Sequence, residues 1–164
     1  MTNQKRERTF AWENPLVGAK QALQLSGLDY LQAMGDAKIP FPPLLYTLDF
    51  KPTHLEKGKV IFSFQPQEFH YNPIGSVHGG VISAILDSAM GCTLHSILEA
   101  GTSYTTLELK VNFLKAVTAK LGELQAVGKI IHSGGRTALV EAQLIDKDNV
   151  VYAHGVSTCL ILKY

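Results

Sequence analysis

Between residues 79 and 99 the chain GGVISAILDSAMGCTLHSILE is apolar or small at nearly every position. On either side of it, apolar and polar residues alternate in short runs bounded by turn residues. A segment apolar all round, in a chain without membrane character, predicts a buried helix. At about 1.5 Å per residue it is expected to run on the order of 30 Å. Downstream, Leu107, Leu109, Val111 and Phe113 alternate with Thr106, Glu108, Lys110 and Asn112. That period of two predicts a half-buried strand over 105–113. Residues 122–132 and 136–146 read as two more strands joined at Ser133-Gly134-Gly135, where the glycine pair is expected to supply the positive φ of a tight hairpin. Residues 150–162 form a last strand after a turn at Asp146 to Asn149. Upstream, LLYTLDF and KVIFSF are rich in aromatic and β-branched residues and read as strands from residue 44 onward.

The first 43 residues follow a different pattern. Residues 1–12 are polar and expected to fray. Asn14-Pro15 is a helix start, because Asn caps the free N–H groups and Pro lacks the N–H that the first helical position would leave unpaired. Leu16, Ala19 and Leu23 keep helical spacing to Gly27, and a second short helix is expected from Leu28 to Met34, ending near Gly35. Pro40, Pro42 and Pro43 predict an extended connector. The fold class is α+β, an antiparallel sheet packed on one long central helix. It divides into an N-terminal helical extension and connector (1–43) and a main domain (44–164).

Composition narrows the function classes. The 164 residues suit one domain, and 46% hydrophobic residues supply a core without disulfide staples. Fifteen Lys and Arg against fourteen Asp and Glu leave a net charge of +1, so neither a nucleic-acid footprint nor an attraction to anionic membranes is expected. No apolar run approaches 18 residues and the N-terminus lacks a signal-peptide core, so a soluble, cytoplasmic protein is expected. Cys92 and Cys159 lie in apolar contexts and read as small buried hydrophobes. His54, His70, His95, His132 and His154 have no metal-ligand spacing, and no metal or organic cofactor is expected.

Chemistry concentrates in Asn72-Pro-Ile-Gly-Ser-Val-His78-Gly79-Gly80 and in Asp87. The first N–H groups of a helix have no internal partner and its dipole makes that end mildly positive. With glycines at 79 and 80 a carbonyl oxygen can approach the backbone closely, as an oxyanion site requires. Asp87 is the oddity, a poor helix former in mid-helix among Ile85, Leu86, Ala89 and Met90. Its same-face neighbours at three, four and seven residues (Gly80, Ser83, Ala84, Met90 and Gly91) are mostly small, which leaves room for a substrate. A carboxylate that only forms a structural ion pair is the plainer alternative. Gly79 and Asp87 are eight residues, or about 12 Å, apart along the axis, whereas a reacting carbonyl must sit roughly 3 Å from both donor and attacking group. If both act on one carbonyl, two antiparallel helices related by a twofold axis must share the site.

The sequence N-P-I-G-S-V-H-G-G, six residues from Asn to His and nine more to Asp, resembles the PaaI-like hot-dog-fold acyl-CoA thioesterases, near their 4-hydroxybenzoyl-CoA branch. The resemblance covers roughly residues 44–162. It implies a sheet wrapped round the central helix, a homodimer as the minimal active unit, a likeness to proteins that commonly form homotetramers, and an acyl-CoA substrate. By resemblance Asp87 is the nucleophile or general base, the Gly79 N–H polarises the thioester carbonyl, and Asn72 positions water or thioester. His78 shapes the turn on the sulfur side, and Thr105, with Thr106 beside it, helps hold the water. Gly80, Ser83, Gly135 and Arg136 are further substrate-binding candidates, Arg136 toward the CoA phosphates. Leu31 and Met34 of the extension would line the acyl pocket, which suits aromatic and medium-chain groups alike. Plainer readings stand beside these: a turn for Asn72-Pro73, a buried histidine for His78, a strand residue for Thr105, a solvated charge for Arg136.

Other classes compete. An α/β-hydrolase would need a GxSxG turn, and none is present. A hot-dog dehydratase acting on acyl thioesters would want a catalytic His near the helix start. An acyl-CoA-binding or sensor module on the same fold would typically lack the carboxylate.

Overall fold

The computed structural model describes residues 4–164. Six strands, β1 (Phe50–Glu56), β2 (Lys59–Phe64), β3 (Thr102–Phe113), β4 (Leu124–Ser133), β5 (Thr137–Ile145) and β6 (Val151–Lys163), form one antiparallel sheet in the order β1-β2-β4-β5-β6-β3. The long helix α4 (Gly79–His95) lies across one face. Ile85, Leu86, Ala89, Met90 and Leu94 of α4 are fully buried, as are Val140, Ala142 and Leu144 of β5. Each of the larger side chains among them (Ile, Leu, Met and Val) contributes about 1.5–3 kcal/mol relative to exposure. The helix can sit this close because position 128 is glycine. A Cβ there would meet the Thr93 hydroxyl at 2.1 Å and the Ala89 carbonyl at 2.6 Å.

The extension contributes α1 (Pro15–Gln21), capped by Asn14, and α2 (Gly27–Gly35), capped by Ser26. Gly27, expected to close the first helix, instead opens the second. It has to be glycine there, since a Cβ would collide with the His95 carbonyl at 1.7 Å. The segment expected to start a strand at residue 44 is a third helix, α3 (Pro43–Leu48). Pro43 occupies its first turn, where the missing N–H costs nothing, and Asp49 in the left-handed region (φ 52°) turns the chain into β1. Aromatic content alone had suggested a strand. The N-terminal arm is tied down where fraying was expected. The Arg8 guanidinium donates to the Tyr46 and Thr47 carbonyls at 2.6 and 2.7 Å, the groups that the end of α3 leaves free.

Two further expectations differ. Neither Gly134 nor Gly135 has a positive φ, because the β4–β5 turn is closed by Gly134 N–H on the Thr137 carbonyl over a wider loop. And α4 is 17 residues, about 25 Å, ending at His95 rather than residue 99. The Asp146–Asn149 turn forms as expected, with the Asp146 carboxylate accepting from the Asp148 and Val150 amides and Asn149 left-handed. The alternation in β3 is present but interrupted. A bulge at Leu107 shifts the register between Thr106 and Glu108, so Tyr104 and Thr106 before it, and Leu109, Val111 and Phe113 after it, share the helix-facing side. As the sheet edge, β3 is only partly covered. Leu107, Leu109 and Phe113 are exposed within one subunit.

Two buried histidines are neutral. His70 accepts the Gln67 N–H at Nδ1, which places its proton on Nε2 against the Leu48 carbonyl at 2.9 Å. Among the described residues neither ring nitrogen of His95 has a partner; the ring packs among Tyr30 and Tyr104. Burial is the main cause holding both below the ordinary histidine value of 6.5. The unfolded chain therefore binds more protons below that value, and stability present above it is lost as the pH falls toward the folded-state values. Urea midpoints between pH 7.5 and 5 should decline for the wild type and decline less for His95→Leu, by at most about 1.4 kcal/mol per pH unit. Equal slopes would show that His95 is not the responsible group.

Candidate active site

The loop leading into α4 is built by Asn72. Its Oδ1 accepts the Ile74 and Ser76 amides at 3.0 and 3.2 Å, its Nδ2 donates to the Ser76 hydroxyl, and Gly75 takes φ +85°. One Nδ2 proton is left over. His78 is the N-cap of α4, accepting the Gly80 N–H at Nδ1 (2.9 Å), while its own N–H donates to the His70 carbonyl. The Val81 and Ile82 amides turn to the His78 carbonyl. Among the described residues, that leaves the Gly79 N–H with no acceptor. Position 79 is confined as well, because a Cβ would meet the Phe113 ring at 3.0 Å. Asn72, Gly79 and Phe113 border one cavity of about 340 Å³.

Asp87 lies two turns along the same helix and is half-buried. Thr106 of β3 donates to its Oδ1 at 3.0 Å, leaving Oδ2 without a donor among the described residues. Asp87 borders a different cavity, about 220 Å³, otherwise mostly apolar, with Leu31 and Met34 of α2 on its wall. It is the only carboxylate among that cavity's lining residues. Cys92, one turn on, lines it too. Burial first, and the Asp87 charge second, push the Cys92 thiol up to about 12, so it stays protonated at neutral pH. Burial also raises the Tyr104 phenol, whose oxygen packs against Gly91.

The expected residues therefore separate into two groups. Asn72, His78, Gly79 and Gly80 gather at the helix start, while Asp87, Thr106, Leu31 and Met34 gather at the second cavity. Thr105, favoured over Thr106 as the water holder, pairs in register with Leu160 and is exposed on the side of β3 away from Asp87; the bulge at Leu107 comes too late to bring it round. Ser83 is half-buried on the Asp87 side of α4 and lines neither cavity. Gly135 and Arg136 are exposed at the β4–β5 hairpin, and Arg136 forms no ion pair among the described residues. Sequence reasoning missed Tyr104, Cys92 and Phe113. Tyr104 shares the parity of Thr106, which plain alternation puts on the polar side, so its place near Asp87 depends on the bulge at Leu107, and the contact of Phe113 with Gly79 depends on packing.

This sheet-on-helix arrangement is a hot-dog fold, and comparison with known proteins agrees. A family model for the thioesterase superfamily matches residues 74–153. Over that stretch the chain is similar to the thioesterase superfamily. A phenylacetic acid degradation-related protein of Ralstonia eutropha has the same fold, with TM-score 0.72 and 26% identity over 80% of this chain and 98% of that one. The PaaI protein of E. coli shares the fold at TM-score 0.71 and 17% identity, over 84% and 96% of the two chains. A 1,4-dihydroxy-2-naphthoyl-CoA hydrolase of Listeria monocytogenes is 26% identical over 70% of this chain and 90% of its own. Human acyl-coenzyme A thioesterase 13 is 28% identical over 55% and 63%. These likenesses support a thioesterase. None of its described helices is long and apolar enough to cross a membrane.

With its thiol held near 12 rather than the ordinary 9.0, Cys92 has about a thousandfold less thiolate than a free cysteine at pH 8. Alkylation by iodoacetamide, followed by peptide mass spectrometry, should be slower than for a model thiol by a similar factor. Labelling at the model rate would overturn the buried, protonated assignment.

Proposed function

We propose that this protein hydrolyses an acyl-CoA thioester at a site shared by two copies of the chain, with Asp87 from one and the Gly79 N–H and Asn72 from the other. The observation that carries the reading is the separation of the two groups. In one subunit the free amide and the carboxylate lie about 12 Å apart along α4 and open into different cavities. The unpaired β3 edge, apolar at Leu107, Leu109 and Phe113, supports a homodimer that covers it. The family resemblance further suggests a cytoplasmic homotetramer of two such dimers.

In this reading residues 1–43 form an extension that closes the acyl end, while 44–164 carry the chemistry. The thioester carbonyl accepts from the Gly79 N–H, where negative charge develops. Along one route Asp87 removes a proton from water as that oxygen bonds to the carbonyl carbon. Collapse of the tetrahedral intermediate breaks the C–S bond, and the CoA thiolate leaves with the proton from Asp87. Along the other, an Asp87 oxygen attacks directly, CoA departs, and water cleaves the resulting anhydride. The Thr106 hydroxyl holds Oδ1 in both, so Oδ2 is the reacting oxygen. Arg136, exposed at the β4–β5 hairpin, meets the CoA phosphates in this reading.

Asp87→Ala should lower kcat on acyl-CoA by about 10³-fold, with the fold intact by circular dichroism. Thr106→Val should cost more than Thr105→Val. Single turnover in H₂¹⁸O separates the routes, since label appears in Asp87 only if it is the nucleophile. Asp87→Ala and Asn72→Ala chains refolded together should regain activity, up to about a quarter of wild type, because half the dimers are mixed and each mixed dimer has one whole site. No recovery from two well-folded, dimeric variants would rule out the shared site.

A further inference from the structure

The Asp87 cavity does not end in the core. It ends at a partition. Phe41 of the connector and Leu45 of α3 line it, and the same two side chains line a second cavity of about 640 Å³ on their other side. Phe62, on the Asp87 side, packs against Phe50, on the far side, with ring centroids 5.4 Å apart. The partition is thus one side chain thick at Phe41 and Leu45 and two thick at Phe62 and Phe50. Its helical part is lightly anchored, since α3 has no side-chain N-cap bond and its last carbonyls are held by Arg8 from the arm. The two compartments differ in character. Beyond the partition Arg8, Asp49, Lys51 and Glu123 give a mixed polar lining, whereas the Asp87 side is mostly apolar.

The geometry points to Phe41 and Leu45 as the residues that set the upper length of the acyl group. The inference rests on the thioesterase reading of Asp87 and concerns only where the acyl chain stops. With about 30 Å³ for each water-sized group, 220 Å³ holds roughly seven such groups. An apolar cavity of about 150 Å³ already accepts benzene. The wild-type compartment therefore suits one ring or a chain of roughly six to eight carbons. A longer chain reaches the partition and must displace Phe41 or Leu45. Shortening either one joins the cavity to the 640 Å³ space behind it.

The test is a ladder of saturated acyl-CoAs from acetyl to palmitoyl, assayed with wild type, Phe41→Ala and Leu45→Ala. Phe41 is half-exposed and tolerates truncation better than buried Leu45, so Phe41→Ala is the primary variant. The expected wild-type profile peaks at hexanoyl or octanoyl. In Phe41→Ala the ratio of kcat/KM for dodecanoyl- over hexanoyl-CoA should rise at least tenfold. Calorimetric binding of dodecanoate against hexanoate should show the same shift and needs no turnover. Profiles of unchanged shape in folded variants, or a wild type that turns over palmitoyl- as well as hexanoyl-CoA, would overturn the inference. A wild type inactive on the whole ladder and also on benzoyl- and phenylacetyl-CoA would instead refute the thioesterase reading, and the fatty-acid binding ratio would then decide the partition by itself.

Discussion

The close seating of α4 on the sheet is the constraint from which the rest of the molecule follows. Ile85, Leu86, Ala89, Met90 and Leu94 face the sheet with no exposed surface, and Gly128 and Gly155 bring strand backbone under them without a Cβ between. A helix held that firmly on one side presents a fixed opposite stripe. On that stripe stand Gly80, Ser83, Ala84, Asp87 and Ser88, none fully buried. An aspartate in mid-helix is tolerable here because it is not in the core. It sits at the margin, with one oxygen satisfied by Thr106 and the other turned to a cavity.

The same rigidity sets the distance between the two ends of the chemistry. A helix start and a carboxylate two turns along cannot be brought together by adjusting side chains, since the backbone between them is fully hydrogen-bonded and one face of it is packed. Capping sharpens the helix start. His78 consumes the Gly80 N–H, its carbonyl takes the next two amides, and the amide of Gly79 is left over. The donor is thus defined by elimination rather than by a general softness of the helix end. Phe113, packed against Gly79, links it to the β3 edge.

The extension has a separate task. Leu31 and Met34 of α2, with Phe41, Leu44 and Leu45 from the connector and α3, form a wall that the sheet and α4 do not supply. It is held by modest devices: caps from Asn14 and Ser26, and one arginine on the end of α3. Such a layer can vary in thickness and shape without disturbing the helix-on-sheet core, so substrate size and catalytic geometry reside in different parts of the chain.

Much of this was legible in the residues themselves. Period-two alternation marks a strand and an all-apolar run marks a buried helix because side-chain direction is a local property of the backbone. For that reason five of the six strands, the central helix, the Asn14-Pro15 start and the candidate pair Gly79 and Asp87 could be read one segment at a time. Local patterns misled where two backbones satisfy the same residues. LLYTL is aromatic and branched enough for a strand, yet Pro43 starts a helix and Arg8, far off in sequence, completes it. The choice of Thr106 over Thr105 turned on a bulge, which depends on how β3 meets β6. Which apolar alternation is covered, which cavity each site residue faces and what stands between two cavities depend on contacts among distant segments. Those contacts are settled only when the chain closes on itself, because packing chooses among local conformations that are nearly equal in energy.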